Sequence, residues 1–522
     1  MSTKSIPVID ASELADGQLK QVEFENGHVL LSKIGDKIHA TSAFCTHYGA
    51  PLAKGVLTKD GRVVCPWHGA CFQVCSGDIE DAPAPDALHS FKAEIKDGKI
   101  VVTANPEHTT KEGKSRAPKL ASVSANFNEP ASERRFDRSY GQNGYQGSIT
   151  LISKEDYAPI DRTKLSKALI TDPSKIEFRK PEVLKERYGV DFRSGTVVTN
   201  LDPTAKTVTL SNGESIQYTN VVLAPGSAPR KLPVEGADLG NVFTLRQIGD
   251  AKQIDEVLKE GKKIVFVGSS FISMELVVVA SKRKLASLDV IGMEEVPFEN
   301  ILGKEVGAGL MKYHKSQGVN FHMQAKVKKL SGNTNVSSVT ITDSSGSDKT
   351  LEADAVIMGI GVAPATEFLK SSPFTLEKDG GIAVDEYLRA PTGDLSRIEH
   401  WNVANNHGRA VGKTIAGSPQ PFKKVPIFWS ALVEGQQLRY CGIGAGHEDV
   451  IIKGNPDEMK FVAYYVKGDK VTAVSSMQND PIVSKCSELM RLELMPSASE
   501  IRAGKDPLSV DISSSAGSNK LA

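Results

Sequence analysis

Apolar positions along the 522-residue chain follow different periods in successive regions. Residues 5–105 carry short strand-like runs parted by turns. HVLLSKIGDKIHATS (28–42) is two such runs around Gly35-Asp36, and FKAEIKDGKIVVTA (91–104) is two more around Asp97-Gly98. An Asp-Gly pair between alternating apolar positions signals a hairpin, because both turn residues must take positive φ. This region reads as a small all-β module. Residues 106–144 are polar, show no sustained period and read as a linker. From 145 the apolar runs SITLIS, NVVLAPG, KIVFVGSS, LDVIGM and DAVIMGIG alternate with helical stretches. That alternation predicts an α/β fold with a parallel sheet. Over 421–516, the strand-like FVAYYVKGDKVTAVSSM and the helical SKCSELMRLEL predict a terminal α+β unit.

The β module holds CTHYGAPLAKGVLTKDGRVVCPWHG, residues 45–69. Cys45 and His47 form one pair; Cys65 and His68 form another after 17 intervening residues. A Rieske [2Fe-2S] centre takes two Cys on one iron and two His on the other, and this set supplies both. Phe72, Gly77 and Pro83 follow, as in the second loop and proline-bearing cover of such centres. A Cys2His2 zinc site is the alternative, but its usual spacing puts two Cys together and then two His. The cysteine pair that braces the high-potential Rieske proteins is lacking, since Ala50 and Trp67 stand at those positions. The module resembles the ferredoxin-type Rieske domain, a one-electron carrier. Cys71 and Cys75 lie outside the set and read as small buried hydrophobes or free thiols.

A second candidate site lies in KKIVFVGSSFISMEL, residues 262–276. A strand runs into Gly268 and a helix follows, the setting in which a pyrophosphate rests on a helix N-terminus. The fingerprint positions are Gly268, Ser270 and Ser273, so serine replaces two glycines, and an ordinary βα turn is the competing reading. The next strand, LDVIGMEE, has Gly292 at its end and Glu294 and Glu295 just beyond. A carboxylate there suits a ribose hydroxyl. No Arg stands by for a 2′-phosphate, which favours NADH over NADPH.

Composition narrows the class. Lys plus Arg and Asp plus Glu number 63 each, so net charge gives no pull toward nucleic acid or an acidic membrane. Hydrophobic residues at 40% and charged ones at 24% belong to a globular chain, and its length suggests roughly three or four domains. The most apolar window, IVFVGSSFISMELVVVAS, carries Glu275 and several serines, too polar for a membrane span. The opening MSTKSIPVIDASELADG has the features of neither a secretory signal nor a transit peptide. Six cysteines over this length make no disulfide scaffold. The expected setting is the reducing cytoplasm.

In order, the Rieske-type module, the linker, SKEDYAPIDRTKLSK, VVLAPGSAPRKLP, GSSFISMEL, GIGVAPATEF, RIEHWNVANNHGRAVG and VPIFWSALVEG resemble the apoptosis-inducing-factor-like proteins. These are Rieske-tailed relatives of the flavin-dependent pyridine nucleotide–disulfide reductases, and the resemblance covers nearly the whole chain. It implies a multidomain fold: an all-β Rieske domain (5–105), an α/β flavoprotein with two dinucleotide-binding domains, and a C-terminal α+β domain (421–516). The FAD-binding domain would take 145–245 and 366–420, interrupted by an NAD(P)-binding domain at 246–365. It implies electrons passing from NAD(P)H to FAD, to the cluster and on to an unidentified acceptor, a redox protein among the candidates. A flavin is needed because a nicotinamide gives two electrons as hydride, whereas a cluster takes one at a time.

By the same resemblance, Arg162 and Lys167 match the pair lying along the FAD pyrophosphate and isoalloxazine. Arg230 matches a flavin-contacting Arg, although Pro225 replaces the usual Thr. His400 and Trp401, with Trp429, match aromatic groups near the flavin and nicotinamide. Ser269, Ser270 and Phe271 match the dinucleotide loop, Glu294 its ribose carboxylate, and Gly361 the backbone near the nicotinamide. Without the resemblance, Arg162 and Lys167 would read as a solvated basic helix and a lone Trp as core. No CxxC stands beside the flavin site, which excludes dithiol–disulfide chemistry.

Two departures from the family pattern stand out. Where the FAD domain should open with a strand and a Gly-rich helix start, the chain has SERRFDRSYGQNGYQG, and no apolar strand precedes Gly141 and Gly144. A strand, loop and helix of that kind need roughly thirty residues. Further on, Gly393-Asp394 has the letters of the family's ribitol-holding motif, but RAPT precedes it instead of an apolar strand. Block losses flanked by good family sequence are what wrongly excised coding segments produce, so a longer parent chain is expected. Two other readings share the motifs. One is a Rieske electron carrier with a non-functional flavin domain; the other is a reductase component feeding an oxygenase.

Overall fold

The computed structural model describes residues 3–113, 116, 147–390 and 400–514. Of the predicted linker, residues 106–113 and 116 are described and the rest lies outside these residues, as do Gly141, Gly144, Gly393 and Asp394.

The N-terminal module is two antiparallel sheets. The first has six strands in the order Lys4–Asp10, Lys99–Ala104, Ser90–Lys96, Lys37–Ser42, Gly27–Ile34 and Leu19–Phe24. Asp97 (φ 49°) and Gly98 (φ 76°) make the predicted tight turn. Phe24, Val29, Leu31, Ile100 and Val102 fill the core of this sheet. The second sheet runs Val56–Leu57, Arg62–Val64, Cys71–Gln73, Ile79–Asp81 and carries the Cys/His loops at its end.

The middle of the chain is built on a five-stranded parallel sheet. Its order is Val242–Phe243, Ala355–Met358, Lys263–Val267, Ser287–Ile291 and Asn320–His322. Ile264, Val265 and Phe266 in the central strand are fully buried. Both faces of that strand are covered, which is why its sequence is continuously apolar rather than alternating. Burying one such Phe or Ile side chain contributes about 1.5–3 kcal/mol. Two helices matter for the site: α1 (Thr163–Ala168) and α2 (Phe271–Ala280), the latter leaving the central strand. A further helix, α3 (Trp401–Ile415), precedes the C-terminal domain. That domain is an antiparallel sheet in the order Ile427–Val433, Gln436–Gly442, Lys470–Met477, Lys460–Lys467, Asp449–Asn455. Its helix α4 (Ile482–Arg491) packs Val483 and Cys486 against Tyr464 and Val474. No helix among the described residues is long and apolar enough to cross a membrane.

The Rieske-type module is seated on the C-terminal domain. Val56, Val64 and Cys71 pack against Leu489 and Ile512. Arg62 pairs with Asp81 at 2.6 Å and with Glu488 of α4 at 3.4 Å, all three side chains largely buried. Arg179 reaches across to Asp86 at 2.5 Å.

One expectation is corrected. NVVLAPG is not a strand: residues 221–226 take no regular structure, and Val221 and Val222 are 37% and 43% exposed. The parallel pairing on this side of the molecule is only three residues long, Thr150–Ile152 with Asp191–Arg193. A β run is stabilised by its neighbours, and no described strand lies against this one. We infer that a strand-bearing segment belongs there in a longer form of the chain. The transcript across residues 117–146 should then carry an in-frame glycine-rich block. A transcript that reads continuously as the present sequence would end this idea.

Candidate redox site

Two loops of the same build carry Cys45, His47, Cys65 and His68. The Cys45 N–H donates to Ala50 O at 2.9 Å and the Cys65 N–H to Ala70 O at 2.8 Å. Gly49 (φ 72°) and Gly69 (φ 70°) turn the loops back, a backbone region that other residues enter only with strain. The loops bring like to like. The Cys45 and Cys65 side chains interact with each other, and His47 Nδ1 lies 3.2 Å from His68 Nδ1. The mixed pairs of the sequence are thus re-sorted into a sulfur pair and a nitrogen pair, the division a Rieske cluster requires.

The surroundings suit a cluster. Cys45 and Cys65 are buried. The neighbouring Cys65 side chain and burial push the Cys45 thiol up, while Cys65, although also buried, is lowered by its contact with Cys45. Burial pushes the imidazole of His47 down to about 4 and that of His68 to about 3. Both stay neutral, the form that ligates a metal. Cys71 is buried and pushed up to about 12, an inert thiol, while Cys75 is exposed.

The nitrogen side of this group faces inward. His68 Nε2 lies 2.8 Å from Gln437 Oε1. Tyr48 stacks on His47 at 3.8 Å and its hydroxyl donates to Asp161 Oδ2 at 2.8 Å. The Trp429 ring lies 4.4 Å from His68 and 5.6 Å from His47, and the Trp401 ring 6.3 Å from His47. His400 follows at 5.4 Å from Trp429. Its Nδ1 accepts the Asn402 N–H and caps α3, and burial pushes it down to about 3.

Beside these rings Lys167 Nζ pairs with Glu275 Oε1 at 2.9 Å. Glu275 is 2% exposed and also accepts from the hydroxyls of Ser166 and Ser430. Sequence reasoning missed Glu275 as a site residue. The signal was there, since a carboxylate inside the most apolar window must find a cation or donors once buried. So Lys167, His400, Trp401 and Trp429 come together beside the two ligand-type histidines. Asn402 Oδ1, in the same corner, is buried without a partner, as an acceptor facing an N–H of a bound group would be. Aromatic walls and one paired cation suit a flavin ring. Arg162 stands apart, donating to Arg246 O at 2.8 Å and pairing with Glu155. Arg230 and Gly361 meet each other instead: the Arg230 N–H donates to Gly361 O at 3.0 Å and Arg230 Nε to Val362 O at 3.0 Å.

The nucleotide candidates lie at the carboxyl end of the parallel sheet, where such sheets bind nucleotides. Gly268 has φ 99°, and a Cβ there would sit 2.4 Å from Gly359 O, so only glycine fits. Ser270 is the N-cap of α2. Ser269 Oγ donates to Glu294 Oε2 at 3.3 Å, so the loop and the carboxylate are adjacent. Glu295 turns away to Lys304. Phe271 packs against Phe428 at 5.1 Å, and Phe428 against His400 at 5.3 Å.

Comparison with known proteins gives the same order of parts. Three family models match: Rieske [2Fe-2S] domain at 4–92, Pyridine nucleotide-disulphide oxidoreductase at 137–408, and Reductase C-terminal at 427–509. The chain is 36% identical over 511 positions to apoptosis-inducing factor 3 of Homo sapiens, covering 92% of this chain and 83% of that protein. It is 28% identical over 383 positions to rhodocoxin reductase of Rhodococcus erythropolis, covering 70% and 88%. A ferredoxin reductase structure from Rhodopseudomonas palustris matches with TM-score 0.58 and 25% identity, over 65% of this chain and 87% of that one. The domains make the chain an oxidoreductase that passes electrons from NAD(P)H through FAD and carries a Rieske cluster. The chain belongs to the pyridine nucleotide-disulphide oxidoreductase family.

Proposed function

We propose that the cluster of this chain takes its electrons from the flavin that NADH has reduced, and that it passes them to a separate redox protein. One observation carries this reading: the Trp429 ring lies against both histidines and the Trp401 ring against His47, with His68 2% exposed. Bound FAD supplies the conversion of a hydride pair into single electrons. Cys45 and Cys65 hold one iron, and His47 and His68 the other. Lys167, fixed by Glu275, keeps a cation at the flavin corner. The rings of Phe271, Phe428, His400, Trp429 and His68 form an unbroken series of contacts from the nucleotide loop to the cluster ligands. Tyr48, tied to Asp161, stacks on His47 and holds its ring in place.

Ser269, Ser270 and Phe271 hold the nucleotide, and Glu294 takes the ribose hydroxyls. A carboxylate at that place repels a 2′-phosphate, which supports NADH. Arg162, Arg230 and Gly361 complete the flavin and nicotinamide contacts. The domain limits are those drawn from the sequence. The four cysteines outside the ligand set, Cys71, Cys75, Cys441 and Cys486, are free and suit a reducing cytoplasm. Rhodocoxin reductase is by its name a reductase of rhodocoxin, and a redox protein is proposed here as the acceptor of this chain.

Anaerobic NADH added to protein loaded with FAD and iron–sulfur should give the electron paramagnetic signal of a reduced Rieske cluster. A cluster that stays oxidised while the flavin bleaches would refute the reading. Glu294→Ala should raise the KM for NADH by about ten- to a hundredfold, the loss of about 1.5–3 kcal/mol of charge-assisted hydrogen bonding. An unchanged KM would remove Glu294 from the site. The double exchange His47→Cys and His68→Cys should lower the cluster potential by several hundred millivolts, on the order of the gap between Rieske and plant-type clusters. A potential that stays in place would mean that the ligand set is wrong.

A further inference from the structure

We propose that Gln437, in the C-terminal domain, is a positioning residue of the cluster that sets its potential through His68. This rests on the ligand reading above, in which His68 binds iron through Nδ1. In that reading both Nδ1 atoms, 3.2 Å apart, are the iron-facing nitrogens, so each imidazole carries its proton on Nε2. For His68 that N–H meets Gln437 Oε1 at 2.8 Å. For His47 the equivalent Nε2 is buried with no hydrogen-bond partner. The two histidines are therefore unequal, and the C-terminal domain makes them so.

The contact is one of a set. Arg439 Nε donates to Trp67 O at 2.7 Å, and Ser484 Oγ donates to Cys65 O at 2.8 Å. With Gln437, these three cross-domain bonds all land on the second ligand loop, residues 65–68. Gly69 packs so closely that a Cβ there would lie 2.5 Å from Ile427 Cδ1. The first loop is held differently, through Tyr48 and Asp161 on the flavin side.

An acceptor on the far N–H of a ligating imidazole fixes its tautomer and raises its basicity. A more basic ligand stabilises the oxidised iron, so the Gln437 carbonyl holds the potential down. The strand that carries Gln437 pairs with the one that carries Trp429. The same hairpin thus contacts the cluster ligands and tunes them, and seating of the Rieske domain is coupled to cluster potential.

The test is a redox titration of the full chain with chemical mediators, followed by the cluster's paramagnetic signal, with no NADH or flavin needed. Gln437→Leu removes the acceptor and should raise the potential. Gln437→Glu replaces it with a charged acceptor and should lower it. Each shift should be about tenfold in the reduction equilibrium, about 59 mV for one electron. Opposite signs at unchanged iron and sulfide content support tuning. Equal potentials in wild type and both variants, or shifts of the same sign, overturn it. Should the Leu variant fail to load, the sign of the Glu variant decides alone. If the unmodified protein lacks the signature of a two-histidine cluster, it is the ligand reading that falls.

Discussion

Burying the imidazole of His68 forces the protein to answer for the polar group left on its far side. His68 is 2% exposed, and its remaining N–H needs an acceptor that its own module does not supply. The acceptor comes from 369 residues further along the chain. Leaving such a group unmet costs about 1–3 kcal/mol, so the requirement binds the Rieske module to the C-terminal domain. The orientation that meets it also presses both imidazoles against Trp429 and, through it, His400. Placement of the cluster beside the flavin corner is a consequence of satisfying one hydrogen bond and a few neighbours like it.

The interface is built as a fixed joint. Arg62, Asp81 and Glu488 form a largely buried charge group across it, with Lys424 on the other side of Asp81. Breaking such a group by removing one member costs about 3–5 kcal/mol, because an unpaired charge is left inside. Apolar packing of Val64 and Cys71 on Leu489 and Ile512 adds to it. On the other side, Lys167 and Glu275 satisfy each other at the flavin corner with two serine hydroxyls in support. Charge is thus kept inside the electron route only where it is paired.

Much of this was legible in the chain because it is local. Cys45–His47 and Cys65–His68 declare the cluster by spacing, and Asp97-Gly98 declares a hairpin because only a few residue types take two positive φ angles. The central strand around Phe266 declares a doubly covered sheet by being apolar throughout. Gln437 carries no such mark, since a glutamine on a strand looks the same whether it faces water or an iron ligand. Glu275 was visible only as an oddity in an apolar window. NVVLAPG misled for the opposite reason: its pattern is that of a strand, but a strand exists only where a neighbour accepts its hydrogen bonds.

The central claim is that electrons cross from flavin to cluster inside one chain, through the buried histidine face. The direct measurement is the rate of cluster reduction after rapid anaerobic mixing with saturating NADH, taken over a wide range of protein concentration. Transfer within the docked chain gives a rate independent of protein concentration. A rate that rises in proportion to protein concentration would mean that the cluster is reduced by other molecules, and the inward-facing route would have to be abandoned.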